Sequence, residues 1–294
     1  MEEIVTAGQA ETRRKKAKVK RGVKISVSYF FLVLLLVFFL FPFFFMFFKS
    51  FMGDKESYSL PVRFFPSSFT LTAYKAVLDV TLLQYFKNTL FVIVFNAIAV
   101  PLSASLCAYG FTRVKFQGSE FVFAIVLATI MLPSIVIQIP LYVIFNSFGW
   151  IGTLYPLTIP NIFGGGAVNI FLIRQFMRGI PKDIENSALV DGCNRLTAFF
   201  QVIIHMVKPG IASISVFAFM SAWSNYLLFN TLILTGKVPI MATYLRSLSM
   251  NDQMIADYGV FSAMALVYML PVFVFFIISQ KSLMKGGFSG GKGI

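Results

Sequence analysis

Ionisable side chains are scarce in this chain and acidic ones scarcest, with 12 Asp and Glu among 294 residues and a single histidine, His205. That shortage excludes most catalytic chemistry. No HExxH or CxxC pattern occurs, and no apolar segment holds a pair of carboxylates that could act as acid and base, so neither a catalytic residue nor a metal site is expected. Cysteine is as rare. Cys107 and Cys193 both fall at the cytoplasmic side in the topology derived below, where thiols stay reduced, so no disulfide is expected. Long polar stretches are missing too: the longest, about 49–85, is too short for a soluble domain and reads as an outer loop ending in one short amphipathic helix. The tail places Gly286, Gly291 and Lys292 at P-loop spacing, but Gly293 stands where Ser or Thr should hold magnesium, and no phosphate-binding helix follows. This chain is therefore expected to bind no cofactor, and any ATP used is hydrolysed on another chain.

What is abundant is apolar surface. Hydrophobic residues make up 57% of the chain, 36 residues are Phe, and the mean hydropathy is +0.80, which excludes a soluble globular domain. A membrane crossing takes roughly 20 apolar residues. Six such runs occur, near 25–48, 86–110, 121–145, 155–178, 200–234 and 259–280. The fifth exceeds one straight crossing, so part of it should lie along the membrane surface or tilt. The expected class is an all-α, polytopic membrane protein with a basic arm at 1–24, a six-helix region at 25–280 and a Gly-rich tail at 281–294. Most of the 25 Lys and Arg fall in the arm, in the tail and in the loops after the second and fourth runs, so the positive-inside rule puts both termini in the cytoplasm. The net charge of +13 is thereby a topology signal, and no nucleic acid is needed to explain it. The first run is too long for a signal peptide and lacks a small-residue cleavage site, so it should remain as an anchor.

The middles of the runs carry no Asp, Glu, Lys or Arg, which disfavours an ion-coupled carrier, since such carriers match a bound ion with an intramembrane charge. An ion channel is disfavoured by the lack of a filter-like loop or charged ring. Neutral hydrogen-bonding residues stand there instead: Asn96, Gln138, Tyr142, Asn161, Asn169, Asn225, Tyr226 and Asn230. Individually each suits a helix-to-helix contact. As a set they suit an uncharged, hydroxyl-rich solute.

Between the fourth and fifth runs lies the polar stretch ENSALVDGC, Glu185 to Cys193. Pro181 pre-sets a helix start, Asp183 and Glu185 favour its positive end, and Gly192 ends it, so a short helix is expected within 181–195. With small residues on one side it can enter a groove of a partner and act as a lever. An ordinary amphipathic connector is the other reading.

FLIRQFMRGIPKDIENSALVDGC resembles the end of the fourth span and the EAA loop of permease subunits in carbohydrate-uptake ABC importers of the maltose type. The resemblance extends over nearly the whole chain, through FFPSSFTLTAYKAVL, AYGFTRVKFQG, MLPSIVIQIPLYVIFNSFGWIGTLYPLTIP and the tail QKSLMKGGFSGGKGI. It implies a type I ABC importer permease core in the bacterial cytoplasmic membrane, working by alternating access. The partners it implies are a second homologous permease subunit, a dimer of ATPases carrying ATP and Mg, an extracytoplasmic solute-binding protein, a sugar substrate and the lipid bilayer. Glu185, Asn186, Ser187, Ala188, Asp191 and Gly192 would form the ATPase-coupling loop. Asn186 and Ser187 stand where the family has Glu and Ala, which leaves Glu185 or Asp191 to supply the acid to the ATPase. His205 replaces the first of two family prolines while Pro209 is kept, so the start of the fifth span is expected to run straighter. Trp223, Asn225 and Tyr226, with Asn96 and Gln138, are expected along the substrate path, and Tyr244, Arg246 and Asn251 at the binding protein. Another polar solute, a polyol or glycerol phosphodiester, fits the same residues. A carrier working alone and a scaffold that moves nothing are the rival classes.

Overall fold

The computed structural model describes residues 2–57, 59–78, 80–114, 116–224, 238–244 and 258–289. All regular structure among them is helical. Among the described residues four helices are long and apolar enough to cross a membrane, or up to six crossings if each of two bent pairs counts as one.

The chain divides into two compact units, residues 1–74 with 257–266 and residues 75–256 with 267–294. In the first, α1 (Glu2–Lys49) runs without a break through the arm boundary expected at 24. Within its stretch Gly22–Lys49 the most apolar window has a mean hydropathy of 2.9, and no residue of that window is buried within the chain. The segment after α1 folds back on its end through α2 (Asp54–Ser57) and an aromatic cluster of Phe47, Phe48, Phe51, Phe65 and Phe69. Lys49 Nζ donates to the Ser57 carbonyl at 2.9 Å, and the amide and hydroxyl of Ser67 donate to Glu56 Oε1 at 2.7 and 2.6 Å. These Ser67 hydrogen bonds, helped by Arg63, hold the Glu56 carboxyl below its ordinary range.

The second unit begins at Lys75, within α3 (Thr72–Val77). It is organised on α4 (Val80–Arg113), packed against α8 (Ala167–Arg178) and α12 (Lys208–Ser224). Ala104 and Ala108, one turn apart on α4, let its neighbours come close around a core that includes Ile173, Met177, Phe199 and Ile203. At Gly210 the approach of α12 to α8 is close: an added Cβ would lie 2.6 Å from Phe176 Cδ2.

Three of the expected runs are not single helices. The third is split into α5 (Ser119–Ala128), with a 3-10 turn at Thr129–Met131, and α6 (Ser134–Ser147), whose limbs meet at 103°. Pro133 lies at that break, and Leu132 before it is extended at ψ 120°, as proline demands of its predecessor. The fourth contains α7 (Tyr155–Thr158), a 3-10 turn at Ile159–Ile162 and then Gly164, Gly165 and Gly166, all at positive φ, ahead of α8. An added Cβ on Gly165 would lie 2.4 Å from Val100 Cγ1, so α4 comes within reach only because that residue has no side chain.

After α9 (Lys182–Val190), the fifth run passes through α10 (Arg195–Ala198), a π turn at Phe199–Ile203 and α11 (Ile204–Met206), then bends by 80° into α12. This corrects the expectation of a straighter start. Losing one proline does not straighten the segment, because Pro209 has no N–H to give the His205 carbonyl and its ring would clash there in a continuous helix. The helix restarts instead, with Pro209 in its first turn. The last helix, α13 (Tyr258–Ser289), runs through the tail boundary expected at 280.

Candidate functional site

The expected helix within 181–195 is α9. Pro181, at φ −56° and ψ 137°, starts it. Its end is a Schellman arrangement: the Cys193 amide donates to the Ala188 carbonyl at 3.0 Å and the Gly192 amide to the Leu189 carbonyl at 3.2 Å, with Gly192 at φ +92°. An added Cβ on Gly192 meets nothing within 4 Å, so backbone conformation and not space calls for glycine there.

Two faces result. Glu185 and Ala188 are buried, with Ile184 and Leu189 partly so, whereas Lys182, Asp183, Asn186, Ser187, Val190, Asp191 and Gly192 are exposed. Val190 keeps 87% of its surface open, unusual for an apolar side chain with a core beside it. The structure therefore splits the six expected coupling residues into four outward ones and two inward ones.

Glu185 is a correction. The Tyr109 hydroxyl donates to its Oε1 at 2.5 Å, and Arg113 Nε lies 3.3 Å from its Oε2, an ion pair whose N–H is not aligned for a hydrogen bond. Arg113 Nη2 also donates to the carbonyls of Met177 at 3.2 Å and Ile180 at 2.8 Å. Both side chains of the ion pair are buried, so Glu185 is not free to supply an acid to a partner; Asp191 is exposed and remains so. Sequence reasoning missed Tyr109 and Arg113 as members of this site. Their spacing of one helical turn, at the end of a long apolar run, was the available signal. Beside them a cavity of about 650 Å³ is lined by Arg113, Lys182, Glu185, Asn186 and Arg195.

A second charged cluster ties α5 to α8. Arg174 is buried, pairs with Glu120 and lies 3.8 Å from the Phe123 ring centre, and Arg178 reaches the same carboxylate at 3.7 Å.

The neutral residues gather at a different place. A cavity of about 250 Å³ is lined by Asn96, Asn161, Gly165, Asn169, Phe217 and Ser221, among others. Asn96 Nδ2 donates to the Leu157 carbonyl at 3.0 Å and Asn161 Nδ2 to Asn96 Oδ1 at 3.0 Å, so these amides both brace the helices and edge the cavity. Asn169 Nδ2 donates to the Gly165 carbonyl at 2.6 Å. Gln138 is buried on α6 and does not line it. Trp223 does not line it either: it is 3% exposed, packed among Phe86, Phe219 and Tyr268, with its indole N–H unpartnered. The Tyr244 ring lies 4.5 Å from that of Tyr85 of α4, tilted by 40° to it. Asn225, Tyr226, Arg246 and Asn251 lie outside the described residues. No group of metal-binding side chains occurs among the described residues.

Known proteins place this geometry. The chain is 29% identical to the Inner membrane ABC transporter permease protein YcjP of Escherichia coli (strain K12), over 82% of this chain and 87% of that one. It is 30% identical to the Galactooligosaccharides transport system permease protein GanQ of Bacillus subtilis (strain 168), over 71% of this chain and 73% of the relative. Its fold matches a chain of a bacterial ABC transporter involved in the import of the acidic polysaccharide alginate, with a TM-score of 0.77 at 22% identity, covering 87% of this chain and 94% of that one. Residues 99–283, which carry α9, both charged clusters and all of the polar cavity's lining except Asn96, match the family described as binding-protein-dependent transport system inner membrane components, and the chain belongs to that family.

Proposed function

We propose that this chain is a permease subunit of an ATP-driven importer of a sugar or oligosaccharide in the bacterial cytoplasmic membrane. It crosses the membrane six times, counting each bent pair once, with both termini in the cytoplasm and α9 on that side. A second permease subunit completes the pathway, an ATPase pair with its ATP and Mg docks beneath, and an extracytoplasmic binding protein delivers the solute. The observation that carries this reading is α9 itself, a short helix between two apolar segments with an exposed face of Asn186, Ser187, Val190 and Asp191 and a buried opposite face. Such a rigid element transmits a partner's motion to the helices it rests on. The solute class follows from the family, from relatives such as the galactooligosaccharide permease, and from the uncharged amide lining of the cavity. That lining supports Asn96, Asn161, Asn169 and Ser221 as residues of the solute path, and Asn225 and Tyr226 are kept there on the sequence alone. Tyr244, Arg246 and Asn251 are assigned to the binding protein. A polyol or a glycerol phosphodiester would meet the same donors and acceptors. Uptake by the complete assembly in proteoliposomes, with ATP inside the ATPase compartment and binding protein opposite, tests the reading. Solute uptake by this polypeptide alone, driven by an ion gradient, would sink it.

A further inference from the structure

Glu185 sits in the segment read as a contact to another protein, yet it spends both carboxylate oxygens within its own chain. Tyr109 donates to one at 2.5 Å and Arg113 Nε lies 3.3 Å from the other. Arg113 in turn donates to the carbonyls of Met177 and Ile180, at and beyond the end of α8. The Tyr109 hydroxyl also lies 3.3 Å from the Arg195 carbonyl. One buried group of three side chains thereby gathers four segments: the C-terminal end of α4, the exit from α8, the middle of α9 and the start of α10.

From this closure we infer that Glu185 is a positioning residue that pins α9 to the end of α4, and that the ATPase reads only the opposite face, Asn186, Ser187, Val190 and Asp191. The inference rests on the reading of α9 as the ATPase contact. An exposed ion pair would yield under load, since water replaces it at little cost. This one cannot part without leaving the buried Glu185 carboxylate stripped of both its phenol and its guanidinium partner. A push on α9 is then delivered to α4, where Asn96 edges the polar cavity, instead of being absorbed by the connection at 179–181.

The test uses the assembled transporter in proteoliposomes, reading two quantities: the dissociation constant of the ATPase and the solute moved per ATP hydrolysed. Glu185→Gln is expected to bind the ATPase within about twofold of the parent, as for sites sharing no contact, while solute per ATP falls at least about fivefold. Tyr109→Phe removes one hydroxyl without altering shape, so it reports even where Glu185→Gln assembles poorly. It should lower the same ratio, and adding it to Glu185→Ala, which takes away the acceptor of the Tyr109 hydroxyl, should do no further harm. Val190→Lys, on the exposed face, should weaken ATPase binding about tenfold or more. If Val190→Lys weakens binding and Glu185→Gln weakens it as much with solute per ATP intact, or if Tyr109→Phe adds to Glu185→Ala, the pin is overturned and the docking reading stands. If Val190→Lys binds normally, the docking reading fails and takes the pin with it.

Discussion

Gly192 carries two different demands, and only one is a demand for space. Its φ of +92° disfavours any other residue, while an added Cβ would meet nothing within 4 Å. Gly192→Ala should therefore cost about 1 kcal/mol of local order, from left-handed backbone strain alone. Amide exchange should be faster at Gly192 and Cys193, whose amides close α9, with membrane insertion unchanged. Glu56 supplies a pH test. Its carboxyl is held low by Ser67, so the folded state favours the ionised form: the stabilisation is present above the ordinary carboxylate range and lost as pH falls through the lowered value. The protection factor of the Ser67 amide, its exchange rate relative to an unstructured amide at the same pH, should be high at neutral pH and fall as pH drops through the lowered value, and a pH-independent protection factor would contradict the assignment. Singly, residues were the hardest scale to read from sequence. The inward turn of Glu185 is invisible without Tyr109, 76 positions away, because the acid looks like any other first-turn carboxylate until its donors are known.

Helices were legible where pattern and punctuation agreed. Pro181 and Gly192 bracket α9 in the sequence as they do in the structure. The bends escaped because hydropathy averages over a break: Pro133 sits inside the run at 121–145 without interrupting its apolar character, yet the limbs meet at 103°. The same blindness hid the triple glycine, of which Gly165 lets Val100 approach. Packing of α12 on α8 gives the test at this scale. Gly210→Val should destabilise by about 1–3 kcal/mol through overpacking against Phe176 and Ile173. Gly110→Ala, in the interior of α4 with nothing within 4 Å, should stabilise by about 0.5–1 kcal/mol. Thermal unfolding of both variants in the same detergent separates the two causes, and equal shifts would refute the close approach.

For the molecule as a whole, composition alone was enough to place the chain in a bilayer, because 57% hydrophobic residues leave no other way to shelter its helices. The family followed from the order and spacing of its motifs. The solute path did not, since Trp223 looked like a stacking platform and is instead filled in by Phe86, Phe219 and Tyr268. Asn161→Leu in the assembled transporter should therefore lower sugar uptake more than Trp223→Phe does, with uptake rates as the measure and the reverse order as the refutation.

The first helix has one more consequence. From Gly22 to Lys49 it counts 28 residues, which at about 1.5 Å per residue make a rod near 42 Å long, against roughly 30 Å of hydrocarbon. A rod that overreaches its slab must lean or thicken the lipid around it. Its slant should therefore grow as the acyl chains are shortened, making this greasy pole a gauge of the thickness of the bilayer in which the importer sits.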